Sequence, residues 1–301
     1  MAWSIDDMRD QTGVTVVITG ANGGLGEVAT RVLAERGATV VMACRDTKRA
    51  ELIAEGISGD VRVKPLDLAN LASVRDFAAR MGDLDVLINN AGLMNLPLKR
   101  TADGFEMQFG VNHLGHFALT GLLLNQISDR VVTVASIAHR QTPKLWIDDL
   151  NYAHRRYQRN LAYAQSKLAN LMFARELQRR LDEADSPLRS YAVHPGVSGT
   201  DLFTKTETPV DLVGKGFAAV WGHEPRKAAQ SILFGATEPD IDPHKYWGPT
   251  GGIGQSRGPV RSAPSSKLSQ DRKLWKRLWE ESERMTGVTY RLPRAVDQAA
   301  N

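Results

Sequence analysis

The first half of the chain alternates short β-branched runs with amphipathic stretches. Runs at 14–19, 39–43, 61–64, 84–89 and 130–135 read as strands, and helical spacing fills 25–36, a polar stretch from about 47, and 71–81. Strands alternating with helices predict right-handed crossovers and a parallel sheet of about seven strands covered on both faces, a doubly wound α/β Rossmann fold. Ligands of such sheets sit outside the carboxyl ends of the strands, so the residues just after each strand are the candidates for chemistry. In the second half, 163–180 reads as one long helix with Leu168, Leu171, Met172, Ala174 and Leu177 near helical spacing, and 190–193 as a sixth strand. A loop with a short helix is expected over 197–223 and another helix over 226–237. The Gly/Pro/Ser-rich stretch 248–266 reads as a connector to a last amphipathic helix, 269–285, holding Trp275 and Trp279. The expected organisation is a single Rossmann-type domain over 1–248 and a C-terminal extension over 249–301, packed on the same domain or on a partner subunit.

Composition narrows the class. The chain has 301 residues, 42% hydrophobic and 24% charged, which excludes a disordered or fibrous protein. Cys44 is its one cysteine, so no internal disulfide or cysteine-built zinc site can form, as suits a reducing compartment. Asp6, Asp7, Arg9 and Asp10 precede any apolar run, which argues against a signal peptide or N-terminal anchor. No uncharged apolar stretch approaches the roughly 18 residues of a membrane span, and a cytoplasmic protein is expected. Net charge is +4 with a pI near 9.2, yet residues 255–301 hold ten Lys/Arg against five Asp/Glu and the rest is nearly neutral. A basic tail on a neutral body reads as a solvated helix face, so no nucleic-acid partner is expected.

Candidate chemistry gathers after the strands. Thr19-Gly20-Ala21-Asn22-Gly23-Gly24-Leu25-Gly26 follows the first strand, and a glycine turn there lets backbone N–H groups and a helix dipole meet a pyrophosphate. Tyr163 and Lys167 stand four apart on one helical face, where an ammonium would lower a phenol pKa from about 10 toward neutral acid/base work. Ser136 follows the fifth strand, placing a hydroxyl where it can bond a substrate oxygen on which charge develops. His113 and His116 share a helical face, but with no carboxylate or third histidine nearby they read as packing or capping, and no metal is expected. Arg155, Arg156 and Arg159, close to Tyr152 and Tyr157, read as a solvated insertion at the site's rim.

Thr-Gly-x-x-x-Gly-x-Gly at 19–26, Asp67-Leu68, Asn89-Asn90-Ala91-Gly92, Ser136, Tyr163-x-x-x-Lys167 and Pro195-Gly196-x-x-x-Thr200, in this order, together resemble the short-chain dehydrogenase/reductase family over about residues 14–240. Residues 111–117, the insertion between Ser136 and Tyr163, and residues 164–170 look most like its retinol dehydrogenase and WW-domain oxidoreductase branch, with the protochlorophyllide reductases as neighbours. The resemblance implies a catalytic set in which Tyr163 donates or accepts the proton, Lys167 also binds the nicotinamide ribose, Ser136 orients the carbonyl, and Asn112 holds a proton-relay water. It further implies that Gly20, Asn22, Gly23, Gly24, Leu25 and Gly26 cradle the cofactor, that Asp67 and Leu68 flank the adenine, and that Asn90, Ala91 and Gly92 flank the adenosine ribose. Tyr163, Lys167, Pro195, Gly196, Val197 and Thr200 would lie at the nicotinamide end.

Arg45 stands 19 residues after Gly26, and Cys44 occupies the place where NAD-specific members usually carry Asp, which favours NADP (NADPH) over NAD. The alternative takes Asp46 as the ribose ligand and leaves Arg45 facing solvent. The expected activity is hydride transfer between nicotinamide and a small-molecule carbonyl or alcohol substrate of lipophilic character, entering between 197–223 and 137–160. The family also implies a homodimer or homotetramer. The membrane-anchoring N-terminal helix of many retinol dehydrogenases is missing from the sequence, so retinoid specificity is not implied. Two rivals stay open: a non-enzymatic NADPH-sensing protein, whose expected mark is a lost Tyr or Lys, and a sugar-nucleotide epimerase or dehydratase, which usually shows Gly-x-x-Gly-x-x-Gly.

Overall fold

A computed structural model of the chain describes residues 3–196, 225–252, 255 and 257–293; the expected loop over 197–223, with Val197 and Thr200, lies outside them. Strands and helices alternate as β1 (Thr15–Thr19), α1 (Gly24–Glu35), β2 (Thr39–Cys44), α2 (Thr47–Ala54), β3 (Val61–Pro65), α3 (Leu71–Ala79) and β4 (Leu84–Asn89). There follow α4 (Met107–Phe109), a π-turn (Gly110–Leu114), α5 (Gly115–Leu123), β5 (Ile127–Val134), α6 (Arg159–Glu183), β6 (Arg189–Val193), α7 (Pro225–Thr237), β7 (Tyr246–Gly251), β8 (Arg257–Ser262) and α8 (Arg272–Thr286). Among the described residues the sheet has eight strands in the order β3-β2-β1-β4-β5-β6-β7-β8, parallel except for β8. The order reverses between β1 and β4, which leaves a crevice at their carboxyl ends.

The inner strands β1, β2, β4 and β5 supply both faces of the sheet at their centres, which is why 16–18, 40–43, 86–88 and 131–132 are continuous apolar runs. Val16 and Ile18 of β1 join Val40, Met42, Val86, Ile88 and Val132 under α1 and α7, where Leu33, Ile232 and Leu233 complete the core. Val17 points the other way, with Val41, Leu87 and Val131, against Phe77, Phe117, Phe173 and Trp279. Side-chain caps begin the helices where the sequence offers them: Asp46 accepts from the Arg49 amide for α2, Asn70 from Ala72 for α3, and Asp271 from Lys273 for α8. Gly287, at φ 64°, closes α8 in the left-handed conformation.

The C-terminal extension corrects the expected organisation. Its Gly/Pro/Ser-rich part is not a connector: it forms β7 and the edge strand β8, and the expected division at 248/249 falls inside β7. Gly248 is there because the His194 ring covers it; a Cβ would come within 2.1 Å of that ring. Pro259 is tolerated because β8 is an edge strand. The last helix packs on the body of the same chain. Trp279, 2% exposed, stacks on Phe173 at 5.9 Å and meets Phe117 edge-on at 5.1 Å. Trp275 is half-buried and donates from its indole to the Ser269 carbonyl at 2.8 Å. Truncating a core tryptophan costs about 3–5 kcal/mol, so Trp279→Ala is expected to lower the urea midpoint by that stability, and Trp275→Ala by distinctly less, in equilibrium unfolding followed by circular dichroism.

Candidate active site

The glycine turn leaves β1 through Gly20, at φ 64°, where a Cβ would lie 2.9 Å from that of Ala91. At Gly26 a Cβ would meet the Gly20 carbonyl at 2.6 Å and the Asn90 amide at 2.7 Å. Both glycines are therefore required by close approach of the turns after β1 and β4. The Thr19 hydroxyl joins those turns: it accepts from the Asn90 and Ala91 amides at 2.9 and 3.0 Å. His116 completes the junction. A carbonyl can only accept, so the 2.9 Å contact with the Asn112 carbonyl places the proton on His116 Nδ1, and Nε2 accepts from Thr19 Oγ1 at 2.8 Å. Burial pushes the His116 pKa down to about 4, so the ring stays neutral near pH 7.

Asn112 sits in the π-turn, with its side chain fixed on both sides. Its Oδ1 accepts from the Leu93 amide at 2.7 Å, and its Nδ2 donates to the Leu93 carbonyl and to Ser166 Oγ, each at 2.9 Å. Gly92 lies between Asn112 and Lys167, since a Cβ there would stand 3.4 Å from Lys167 Nζ and 3.6 Å from Asn112 Oδ1. Lys167 is buried and donates to the Val134 carbonyl at 3.0 Å. Tyr163, one turn earlier on α6, has its ring centroid 5.9 Å from that ammonium, with Ser136 near enough to its phenol to favour the phenolate. Ser136 follows β5 and caps a short turn by accepting from the Ala138 amide at 3.2 Å.

The electrostatics differ from the expectation that the lysine lowers the phenol pKa. Burial of Tyr163 outweighs other influences and pushes its pKa up to about 12, against the opposing hydrogen bond from Ser136. Burial likewise pulls Lys167 down to about 8. Both groups are held where their charged forms are disfavoured.

The remaining positions distribute as follows. Asn22, Gly23, Gly24 and Leu25 open α1, and the Asn22 amide donates to the Asp46 carbonyl at 3.1 Å. Arg45 is exposed at the end of β2. Asp67 and Leu68 follow β3, where Asp67 Oδ1 accepts from the Ala69 amide at 2.9 Å. Pro195 and Gly196 follow β6, with Gly196 at φ 76°. Two nearby residues were missed from sequence. Arg49 brings its guanidinium over the glycine turn, 3.2 Å from where a Cβ of Gly23 would stand, and its place one helical turn beyond Arg45 was the available signal. His139, three residues after Ser136, holds the Ser136 carbonyl through Nδ1 at 2.6 Å. Arg155 is also corrected: it is half-buried rather than solvated, 3.4 Å from the Tyr152 centroid and 4.3 Å from that of Trp146, and paired with Asp149 at 3.4 Å. Arg156 is exposed. Among the described residues no group of three or more His, Cys, Asp or Glu is placed to hold a metal ion, and no helix is long and apolar enough to cross a membrane.

A crevice at a strand-order reversal, a glycine turn with no room for a Cβ at Gly20 or Gly26, and a Ser/Tyr/Lys cluster beside it are together the features of an oxidoreductase type of site. The comparisons agree on the family. A sequence profile described as short chain dehydrogenase matches residues 14–148. Human retinol dehydrogenase 13 (Homo sapiens) is 38% identical over 299 residues, covering 92% of this chain and 85% of that protein. Human retinol dehydrogenase 12 (Homo sapiens) is 38% identical over 291 residues, covering 92% and 88%. A crystal structure of an uncharacterized protein from Mycobacterium Paratuberculosis superposes with a TM-score of 0.84 at 44% identity, covering 97% of this chain and 100% of that one. The chain belongs to the short-chain dehydrogenase/reductase family.

The buried ammonium makes a stability prediction. A lysine whose folded pKa is about 8 against 10.5 binds fewer protons folded than unfolded between those values, so stability rises with pH across that window. At neutral pH the cation opposes folding by on the order of 3 kcal/mol, taking about 1.4 kcal/mol per pKa unit. Lys167→Met is expected to be more stable than the parent at pH 7 in urea unfolding, with the gap narrowing as pH rises above 8; a gap constant from pH 7 to pH 10 would contradict the burial.

Proposed function

We infer that the chain is an NADP(H)-dependent oxidoreductase that transfers a hydride between nicotinamide and the carbon of a lipophilic carbonyl or alcohol. The observation that carries this reading is the gathering of Ser136, Tyr163 and the buried Lys167 on the same strand-end edge as the glycine turn. In reduction Tyr163 gives its proton to the substrate oxygen, and a phenol held up to about 12 is fully protonated for that step at neutral pH. Ser136 donates to the same oxygen and fixes it opposite the phenol. In oxidation the phenol first gives up its proton, and the phenolate, stabilised by Lys167, then takes the alcohol proton. NADPH, when bound, supplies the hydride.

The cradle suits that cofactor. Gly20 and Gly26 leave no room for side chains beneath a pyrophosphate, and the first amides of α1 face it. Arg45 and Arg49 stand at the end of β2 and the start of α2, as a 2′-phosphate requires. Asp46 commits a carboxylate oxygen to the Arg49 amide as a helix cap, which weighs against its use as an NAD ribose ligand. The likeness to proteins named retinol dehydrogenases supports a lipophilic substrate and makes retinol and retinaldehyde the first pair to try. The same reading takes the enzyme as cytoplasmic and homodimeric or homotetrameric.

A panel of aldehydes, ketones and alcohols read by NADPH absorbance tests the activity. Tyr163→Phe is expected to lower kcat by about 100-fold or more with NADPH still bound, the usual loss of a general acid. Turnover by no substrate in the panel, with NADPH bound, would replace the enzyme by an NADPH-sensing protein. For the cofactor, Arg45→Ala is expected to weaken NADPH binding by about 10-fold, the worth of one charge-assisted hydrogen bond, while leaving NADH unchanged in fluorescence titrations. Equal NADH and NADPH affinities, indifferent to Arg45→Ala, would overturn the NADP assignment.

A further inference from the structure

His139 lies fully buried between two backbone groups. Its Nδ1 is 2.6 Å from the Ser136 carbonyl, which also accepts from the His139 amide at 3.1 Å. On the other side of the ring, the Ser266 amide donates to Nε2 at 3.2 Å. An amide N–H cannot accept, so Nε2 carries no proton, and the ring is the Nδ1–H tautomer that the Ser136 carbonyl needs. Burial pulls the His139 pKa down to about 4, which keeps this neutral form at ordinary pH, beside Arg140 and Arg175. The buried ring stands edge-on to buried Tyr246 at 5.5 Å and is held at both nitrogens.

The far partner is itself fastened. Arg175 of α6 donates to the Ser269 carbonyl at 2.8 Å and to the Ser265 and Ser269 hydroxyls at 2.9 Å. Arg140 donates to the Pro264 carbonyl. The helix that carries Tyr163 and the turn that carries Ser136 therefore grip one segment of the C-terminal extension. We propose that His139 is the positioning residue of Ser136 and that residues 263–269 anchor it, so that the extension sets the spacing between the Ser136 hydroxyl and the Tyr163 phenol. The catalytic consequence rests on the oxidoreductase reading above; the spacing itself does not.

Two substitutions separate positioning from packing. In His139→Asn the amide nitrogen stands where Nδ1 stands and keeps the bond to Ser136; in His139→Gln the side chain reaches Ser266 and leaves the Ser136 carbonyl without its ring donor. His139→Gln is expected to lower kcat about 5- to 10-fold, the worth of one hydrogen bond, with the Kd for NADPH unchanged, and His139→Asn to recover most of that loss. The 13Cζ shift of Tyr163 at neutral pH, which reports its bond to Ser136, should move in His139→Gln toward its value in Ser136→Ala. Wild-type kcat together with an unmoved Tyr163 signal in His139→Gln overturns the proposal. Should the parent turn over nothing while the Tyr163 signal still moves, the oxidoreductase reading fails and the brace stands. The parent ring gives a reading that needs no variant: its 15N shifts must show a protonated Nδ1 and a bare Nε2, and a proton found on Nε2 overturns the proposal.

Discussion

Lys167 keeps a full ammonium away from water, with the Val134 carbonyl as its partner and the Tyr163 phenol near by. Desolvating a cation opposes folding, so the groups around it must be fixed well enough to hold it there. That requirement runs through the site. Helix α6 is buried along most of its length, and the Asn112 amide is bonded on both sides rather than left to rotate. The same burial holds Tyr163 as a neutral phenol, so the pair rests as a protonated phenol beside a cation.

Two histidines extend this fixing outward by the same chemistry. His116 joins the turn after β1 to the π-turn, and His139 joins the turn after β5 to the C-terminal segment. Each ring donates from Nδ1 to a carbonyl and accepts at Nε2, and each is kept neutral by burial. An imidazole suits this task because its neutral ring carries one donor and one acceptor nitrogen in a rigid plane that also fills an apolar space.

Much of the fold was legible in the sequence because strand centres buried on both faces must be apolar without alternation, and 16–18, 40–43, 86–88 and 131–132, within β1, β2, β4 and β5, obey that rule. The residues after those strands were legible for the same reason, since a parallel sheet gathers its carboxyl ends on one edge. Composition misled at 248–266: Gly248 and Pro259 read as breakers, but one lies beneath a histidine ring and the other on an outer strand, facts that exist only once the sheet is assembled. The pairing of Tyr163 with Lys167 was visible from spacing, whereas the direction of the tyrosine shift was not, because depth of burial is a property of the packed helix. Asp46 as a cap, Arg49 over the glycine turn, and the partners of both bridging histidines belong to the same class of information: contacts between segments far apart in sequence.

Trp279 and Tyr290 meet edge-on at 4.4 Å against Phe117 and Phe173 on one face of the sheet, and Tyr290 donates to the Phe117 carbonyl at 2.6 Å. During synthesis that face stays open until residue 290 has left the ribosome, while the opposite face, built from α1 and α7 with Ile241 and Val260, can close once residue 260 is out. The two halves of the core thus mature at different times, and the waiting aromatic surface is the one that a chaperone would meet on the nascent chain.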